Sequence, residues 1–231
     1  LFDVNGLSIA DAENDQESSS MAFNDNNNQA FICWEDFRLG TEYDLYCRDI
    51  SFTAEGNYQV SNEIELAGQT NTSGGNQTNP FVFSDDSSFL IAWEDSRNSS
   101  GDPGKVDIYL QEYKNNSHTY EDGGVALCTY SQKQEKPKIS TYSESDNSFV
   151  IIWEDYRSTG KEHCANLYGQ SFSNCSSLGD LNGDGGWNVL DIVTLANCIL
   201  SADCATLEYG CAGDLNGDGG YNVLDIVTLA N

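Results

Sequence analysis

Trp34-Glu35-Asp36-Phe37-Arg38 returns as Trp93-Glu94-Asp95-Ser96-Arg97 and again as Trp153-Glu154-Asp155-Tyr156-Arg157. The three tryptophans stand 59 and 60 residues apart. Each closes a short apolar run: Ala30-Phe31-Ile32-Cys33, Phe89-Leu90-Ile91-Ala92 and Phe149-Val150-Ile151-Ile152. A second strand-like run follows each Arg after a polar loop, at Asp44-Leu45-Tyr46, Asp107-Ile108-Tyr109 and Asn166-Leu167-Tyr168. A third run precedes each Trp across a polar turn such as Asn24-Asp25-Asn26-Asn27-Asn28, and residues 64–66 and 125–127 can supply a fourth. Short apolar runs punctuated by Asn, Asp and Gly predict strands and turns rather than helices.

About four short strands per repeat, each repeat anchored by one Trp, is the pattern of a β-propeller blade. Residues 1–173 resemble the W-x-D-x-R repeats of bacterial secreted propellers. Three blades cannot close a ring that usually needs about four to eight. The chain begins at Leu1 and ends at Asn231 inside an apolar helical pattern. We read it as a piece of a longer protein, with Gly6-Leu7-Ser8-Ile9-Ala10 as the outer strand of an earlier blade. An open stack or sandwich of β-hairpin units is the other architecture that fits.

Two roles suit Trp-Glu-Asp-x-Arg. A ring of Asp and Arg could line a ligand site. Alternatively, Trp packs between sheets while Asp and Arg pair to fix the turn. Recurrence in every repeat favours the second, because a catalytic site needs unlike residues converging on one point. Cys33 and Cys47 flank the strand pair of the first repeat, where a cross-strand disulfide is expected; Cys128 with Cys164 is a second candidate pair.

The second repeat is of another kind. Gly179-Asp180-Leu181-Asn182-Gly183-Asp184-Gly185-Gly186-Trp187-Asn188-Val189-Leu190-Asp191, followed by Ile192 to Asn197, returns 34 residues later as Gly213 to Asn231 with Trp187 changed to Tyr221. Calcium takes six to eight oxygens, supplied in EF-hand-type loops from positions 1, 3, 5, 7, 9 and 12. Counted from Asp180, these are Asp180, Asn182, Asp184, the Gly186 carbonyl, Asn188 through water, and Asp191. Counted from Asp214, they are Asp214, Asn216, Asp218, the Gly220 carbonyl, Asn222 and Asp225. Gly185 and Gly219 hold position 6, where the chain turns sharply. An apolar helical face follows each loop, whereas a Ser-rich or Gly-containing linker precedes it.

A duplicated loop–helix ending in Asp closely resembles the type I dockerin family over residues 179–231. The resemblance implies two Ca²⁺ ions, two antiparallel loop–helix units with Trp187 and Tyr221 in the paired loops, and a cohesin-type partner. Loop positions 10 and 11, which contribute to partner recognition in that family, are here the apolar Val189-Leu190 and Val223-Leu224. Residues 175–231 hold seven Asp, one Glu and neither Lys nor Arg. A segment this small buries little core, so self-repulsion should make its folding depend on the metal. Cys175, Cys198, Cys204 and Cys211 are expected to staple it, in a connectivity the sequence leaves open.

The fold expected is therefore mainly β: residues 1–173 as about three four-stranded propeller-like blades, and residues 174–231 as a small α-helical calcium-binding domain. The net charge of −27 excludes nucleic acid and anionic membranes as partners and suits cations. No run of 18 apolar residues spans a membrane, and eight cysteines without a C-x-x-C pair suit an oxidising compartment. No G-x-S-x-G, H-E-x-x-H or phosphate loop is present. The two histidines, His118 and His163, lie in polar stretches that read as surface. The function these features imply is a secreted or cell-surface calcium-binding protein, docking through its dockerin-like module and binding a glycan or protein through its propeller. The alternative is a fragment of an extracellular polysaccharide-degrading glycoside hydrolase whose catalytic residues lie mostly elsewhere.

Overall fold

The computed structural model describes residues 6–53, 57–66, 75–85, 88–99, 104–120, 123–143, 148–157, 165–173, 178–182, 184, 186–204, 207, 209–215 and 220–230. Its contacts divide into two compact units, Leu1–Ser140 with Val150–Gln170, and Thr141–Phe149 with Ser171–Asn231.

Thirteen strands are described, in three sheets, one for each Trp-Glu-Asp-x-Arg repeat, and the pairings of the first two are antiparallel. The first contains β1 (Gln16–Asn24), β2 (Gln29–Asp36), β3 (Asp44–Phe52), β4 (Tyr58–Val60) and β5 (Ile64–Glu65); the two short strands share β3 as partner. The second contains β6 (Gln77–Ser84), β7 (Phe89–Asp95), β8 (Asp107–Lys114), β9 (Ser117–His118) and β10 (Val125–Cys128), with β9 and β10 both on β8. The third contains β11 (Gln134–Ser143), β12 (Ser148–Asp155) and β13 (Asn166–Ser173). The expected fourth strands at residues 64–66 and 125–127 are thus present. The third sheet has three strands among the described residues rather than four. Gly6–Ala10, expected as an outer strand, pairs with no strand among the described residues.

The turn chemistry is local. Asn24 Oδ1 accepts the N–H groups of Asn26 and Asn27, an Asx turn that folds β1 back on β2. Asn115 and Asn116 both adopt positive φ, as the two-residue hairpin between β8 and β9 requires. That hairpin places His118 in a strand, its ring 5.9 Å from Tyr113, rather than in the surface loop expected.

Every residue of β7 is buried, because both of its faces are covered. On one face Phe89, Ile91 and Trp93 join Phe31, Cys33, Leu45 and Cys47 of the first sheet in one apolar core. Phe31 stacks on Phe89 and Tyr113 at 5.2 and 4.5 Å between ring centroids. Cys33 lies directly opposite Cys47 in the β2–β3 ladder, and the two form the expected disulfide. Cys128 carries a free thiol, so the second expected pair, Cys128 with Cys164, is not formed; Cys164 itself lies outside the described residues.

The recurring spacing of Trp-Glu-Asp-x-Arg now has a geometry. Each Trp indole N–H donates to the Asp two residues on, at 2.9, 2.9 and 3.1 Å. The other oxygen of that Asp accepts the Arg backbone N–H at 2.9, 2.8 and 2.8 Å. The guanidinium pairs with the same carboxylate and lies over Tyr46, Tyr109 or Tyr168. Burial works to raise the Asp36 and Asp155 carboxyls, but hydrogen bonds from Arg and Trp outweigh it and hold both below the usual range. The motif therefore fixes a turn and an indole.

In the second unit, α1 (Val189–Ser201) and α2 (Val223–Leu229) follow the two Asp-rich loops. Leu181, Leu195, Cys198, Cys204 and Ala212 form its core, with Leu215, Tyr221, Ile226 and Leu229 packed against it. A short 3₁₀ turn, Gly210–Gly213, occupies the linker before the second loop. Cys198 and Cys204 form a disulfide across the end of α1; Cys175 and the Cys211 side chain lie outside the description. Among the described residues, no helix is long and apolar enough to cross a membrane.

Candidate metal centre

The first loop is organised from its last residue. Asp191 is completely buried. Its Oδ1 accepts the backbone N–H groups of Leu181 and Asn182 at 2.9 and 3.2 Å, and its Oδ2 accepts that of Asn188 at 2.9 Å. Position 12 thus ties down positions 2, 3 and 9. Asn188 is also the N-cap of α1, accepting the Leu190 N–H at 2.8 Å in a capping box with Asp191. One pair of residues closes the loop and starts the helix. The sequence signal for this was present, an Asn followed three residues later by an acid before an apolar run.

The remaining expected ligands of the first loop lie within its span. Asp184 N donates to Asp180 Oδ1 at 3.1 Å and to Asn182 Oδ1 at 2.8 Å. Asp184 Oδ1 accepts the Gly186 N–H at 3.0 Å. Asn188 Nδ2 reaches Asp184 Oδ2 at 3.1 Å and the Gly186 carbonyl at 3.4 Å. Asp180 is buried, while Asn182, Asp184 and Asn188 are exposed.

The second loop repeats the frame. Asp225, completely buried, accepts Leu215 N at 3.1 Å and Asn222 N at 2.9 Å. Asn222 caps α2 through Leu224 N at 2.8 Å. Asp214 and Gly220 are half-buried; Asn216, Asp218 and Gly219 lie outside the described residues.

This donor set suits a hard cation. The first loop holds three carboxylates, two amide oxygens and a peptide carbonyl, with no Lys or Arg anywhere in residues 175–231. Among the described residues no three His, Cys, Asp or Glu side chains converge as a ready cluster. The carboxylates are held by backbone N–H groups instead. Asp191 uses three of a carboxylate's roughly four acceptor sites in this way.

Two glycines cross-link the loops, a feature the sequence reading missed. Gly179, at φ +92, has Trp187 of its own loop and Leu229 of α2 against the position of a missing Cβ. Gly213 has Tyr221 of its own loop and Leu195 of α1 in the equivalent place. Gly179 N donates to Ala212 O at 2.8 Å, joining the starts of the two loops. Burial, then the charges of Asp214 and Asp225, push the Tyr221 hydroxyl up.

Residues 178–231 match the family described as the dockerin type I domain. No curated protein matches the chain. Among solved structures, the chain is similar to an α-L-arabinofuranosidase from Fusarium graminearum, at 9% identity and a TM-score of 0.46 over 67% of this chain and 45% of that one. It is also similar to an endo-arabinase from Bacteroides thetaiotaomicron, at 11% identity and a TM-score of 0.43 over 68% of this chain and 56% of that one. The chain thus spans about half the length of these two structures, and scores this low carry no argument about activity.

Proposed function

Starting from a C-terminal segment that is a dockerin type I domain, a kind of domain that binds calcium and implies protein docking, we propose that residues 174–231 form a calcium-dependent docking module with a cohesin-type partner. Two ions are held, one by Asp180, Asn182, Asp184, the Gly186 carbonyl, Asn188 and Asp191, the other by Asp214, Asn216, Asp218, the Gly220 carbonyl, Asn222 and Asp225. Residues 1–173 are a propeller-like array that binds a glycan or protein, and the whole is secreted or displayed at a cell surface.

The observation that carries this reading is the paired burial of Asp191 and Asp225, each closing a loop onto the helix it begins. Bound calcium supplies positive charge where the loop carboxylates crowd. The partner-facing positions support an apolar contact: Val189, Leu190, Val223 and Leu224 are 67, 59, 64 and 60% exposed. The disulfides suit an oxidising compartment.

The test is capture of the full chain by a panel of immobilised cohesins, with calcium and with EDTA. Calcium-dependent capture that Leu190→Asp with Leu224→Asp abolishes supports the proposal. Calcium-independent capture, or none by any cohesin, overturns it.

A further inference from the structure

Each joint between neighbouring sheets is tied at two places. Glu35 Oε1 accepts the backbone N–H of Asn79, at φ 52 in β6, and Glu94 Oε1 that of Lys136, at φ 55 in β11, both at 2.8 Å. Beside these contacts, Gln77 N donates to Tyr43 O and Gln134 N to Val106 O, at 2.8 and 2.9 Å. Asp44 and Asp107, the first residues of β3 and β8, come next along the chain from those two carbonyls.

The two glutamines end differently. In the first joint Gln77 Oε1 accepts the N–H of Leu45, the residue after Asp44, at 3.3 Å. In the second, Gln134 Nε2 donates to the Gln132 carbonyl. A flipped amide would set oxygen against oxygen there, so that bond decides which end is Oε1. Among the described residues, no donor reaches Gln134 Oε1. Asp107 shares the lack: its Oδ2 accepts Asn98 Nδ2 at 3.1 Å, while its Oδ1 has no partner. Asp107 and Gln134 are 1 and 0% exposed. Buried oxygens without a donor are rare and costly.

We propose that the joint between the second and third sheets is a proton latch. A proton taken from solvent onto Asp107 Oδ1 and donated to Gln134 Oε1 closes it, and loss of that proton leaves both oxygens without a donor.

The surrounding charges suit this. Burial raises the Asp107 carboxyl above its ordinary range; the Asn98 hydrogen bond and the Lys105 charge work against that, and the charge of Asp95, opposite in the β7–β8 ladder, adds to it. Tyr109 of β8 and the Cys128 thiol of β10 also feel Asp107, and burial pushes both of them up, so they stay neutral in acid. On β11, Lys133 and Glu135 flank Gln134 and pair with each other. Because the folded state holds the proton more tightly than the unfolded chain, the stabilisation is complete below the ordinary Asp value of about 3.9 and is lost as pH rises through the folded value.

Carboxyl ¹³C NMR of the full chain against pH tests this, with Asp107 assigned as the resonance that Asp107→Asn removes. Its midpoint should lie above the ordinary Asp value, and Gln134→Met, which takes away the acceptor, should lower it. A midpoint at or below the ordinary value, or one that Gln134→Met leaves in place, would overturn the proposal. A midpoint that added calcium lowers would do so too, since the two oxygens would then hold a cation. Should Gln134→Met lose its near-UV circular dichroism, Asp107→Asn carries the test. Its amide donates at every pH, so its urea midpoint should exceed the parent's at pH 8 by a margin that shrinks toward pH 4. An equal margin at both pH values, or none, would count against the latch.

Discussion

Asp191 Oδ1 accepts the backbone N–H of Leu181 at 2.9 Å, so the last residue of the first Asp-rich loop holds its second residue in place. The carboxylate is fully buried and serves three N–H groups in all. Asp191→Ala strands two of those donors at the start of the loop, on Leu181 and Asn182, and one at the N-cap of α1, on Asn188. Each unsatisfied buried group costs about 1–3 kcal/mol, so the second unit should unfold well below the temperature of the parent. Circular dichroism at 222 nm, which follows α1 and α2, reads the loss. An unchanged helical transition would refute the role given to this side chain.

Calcium should raise the stability of the helical unit and leave the sheets unmoved. A ligand that binds only the folded form adds about 2.7 kcal/mol at one hundred times its Kd. In a thermal scan with EDTA and with millimolar calcium, the helical signal should shift upward by several degrees. The near-UV signal of Trp34, Trp93 and Trp153, buried in the sheets, should stay fixed. A helical transition indifferent to calcium would remove the basis for the metal assignment.

Asp95→Ala should be among the costliest single changes in the sheets. It strands the Trp93 indole N–H and leaves Arg97, which lies beside Tyr109, without its carboxylate. Removing one partner of a buried ion pair costs about 3–5 kcal/mol. Urea unfolding followed by tryptophan fluorescence should show a lower midpoint with an unchanged slope. A loss under 1 kcal/mol would mean the motif is only a surface pair.

Asp44 offers a stabilising change. Burial, then the charges of Glu42 and Glu65, push its carboxyl up to about 6. Because the folded state holds this proton more tightly than the unfolded chain, stability falls as pH rises from about 4 through 6. The penalty is then fully present at neutral pH. Asp44→Asn, the residue the third repeat already has at Asn166, should add about 1–2 kcal/mol at pH 7. That gain should vanish below about pH 4. Equal gains at both pH values would show that charge is not the cause.

What could be read from residue order alone was whatever depends on near neighbours. The Trp repeat announced the sheets, and Cys33 and Cys47 were placed opposite each other by the strands around them. The glutamate of the motif could not be read. Its partner is a backbone N–H 44 or 42 residues away, on Asn79 or Lys136, whose side chains share nothing. The one usable trace was proline: Pro80 and Pro137 follow those residues directly, and proline inside a strand marks a bulge or an edge. In the Asp-rich loops the ligand spacing was plain. That the closing Asp would also serve the N–H groups of Leu181 and Asn182, at the far end of the loop, was not, since hydrogen-bond accounting needs the folded path of the chain.

The crosswise packing at Gly179 and Gly213 binds the fates of the two halves of the C-terminal unit. Each copy keeps a bare spot where the other's leucine rests. Mutational drift in one half is therefore felt in its twin: a bulkier residue at either glycine, or a reshaped leucine on either helix, calls for a matching change across the pair. A lone copy, cut free by deletion, would have no leucine to fill its hollow and no hollow for its leucine. At these four positions the two copies must therefore stay matched if they are to remain folded together.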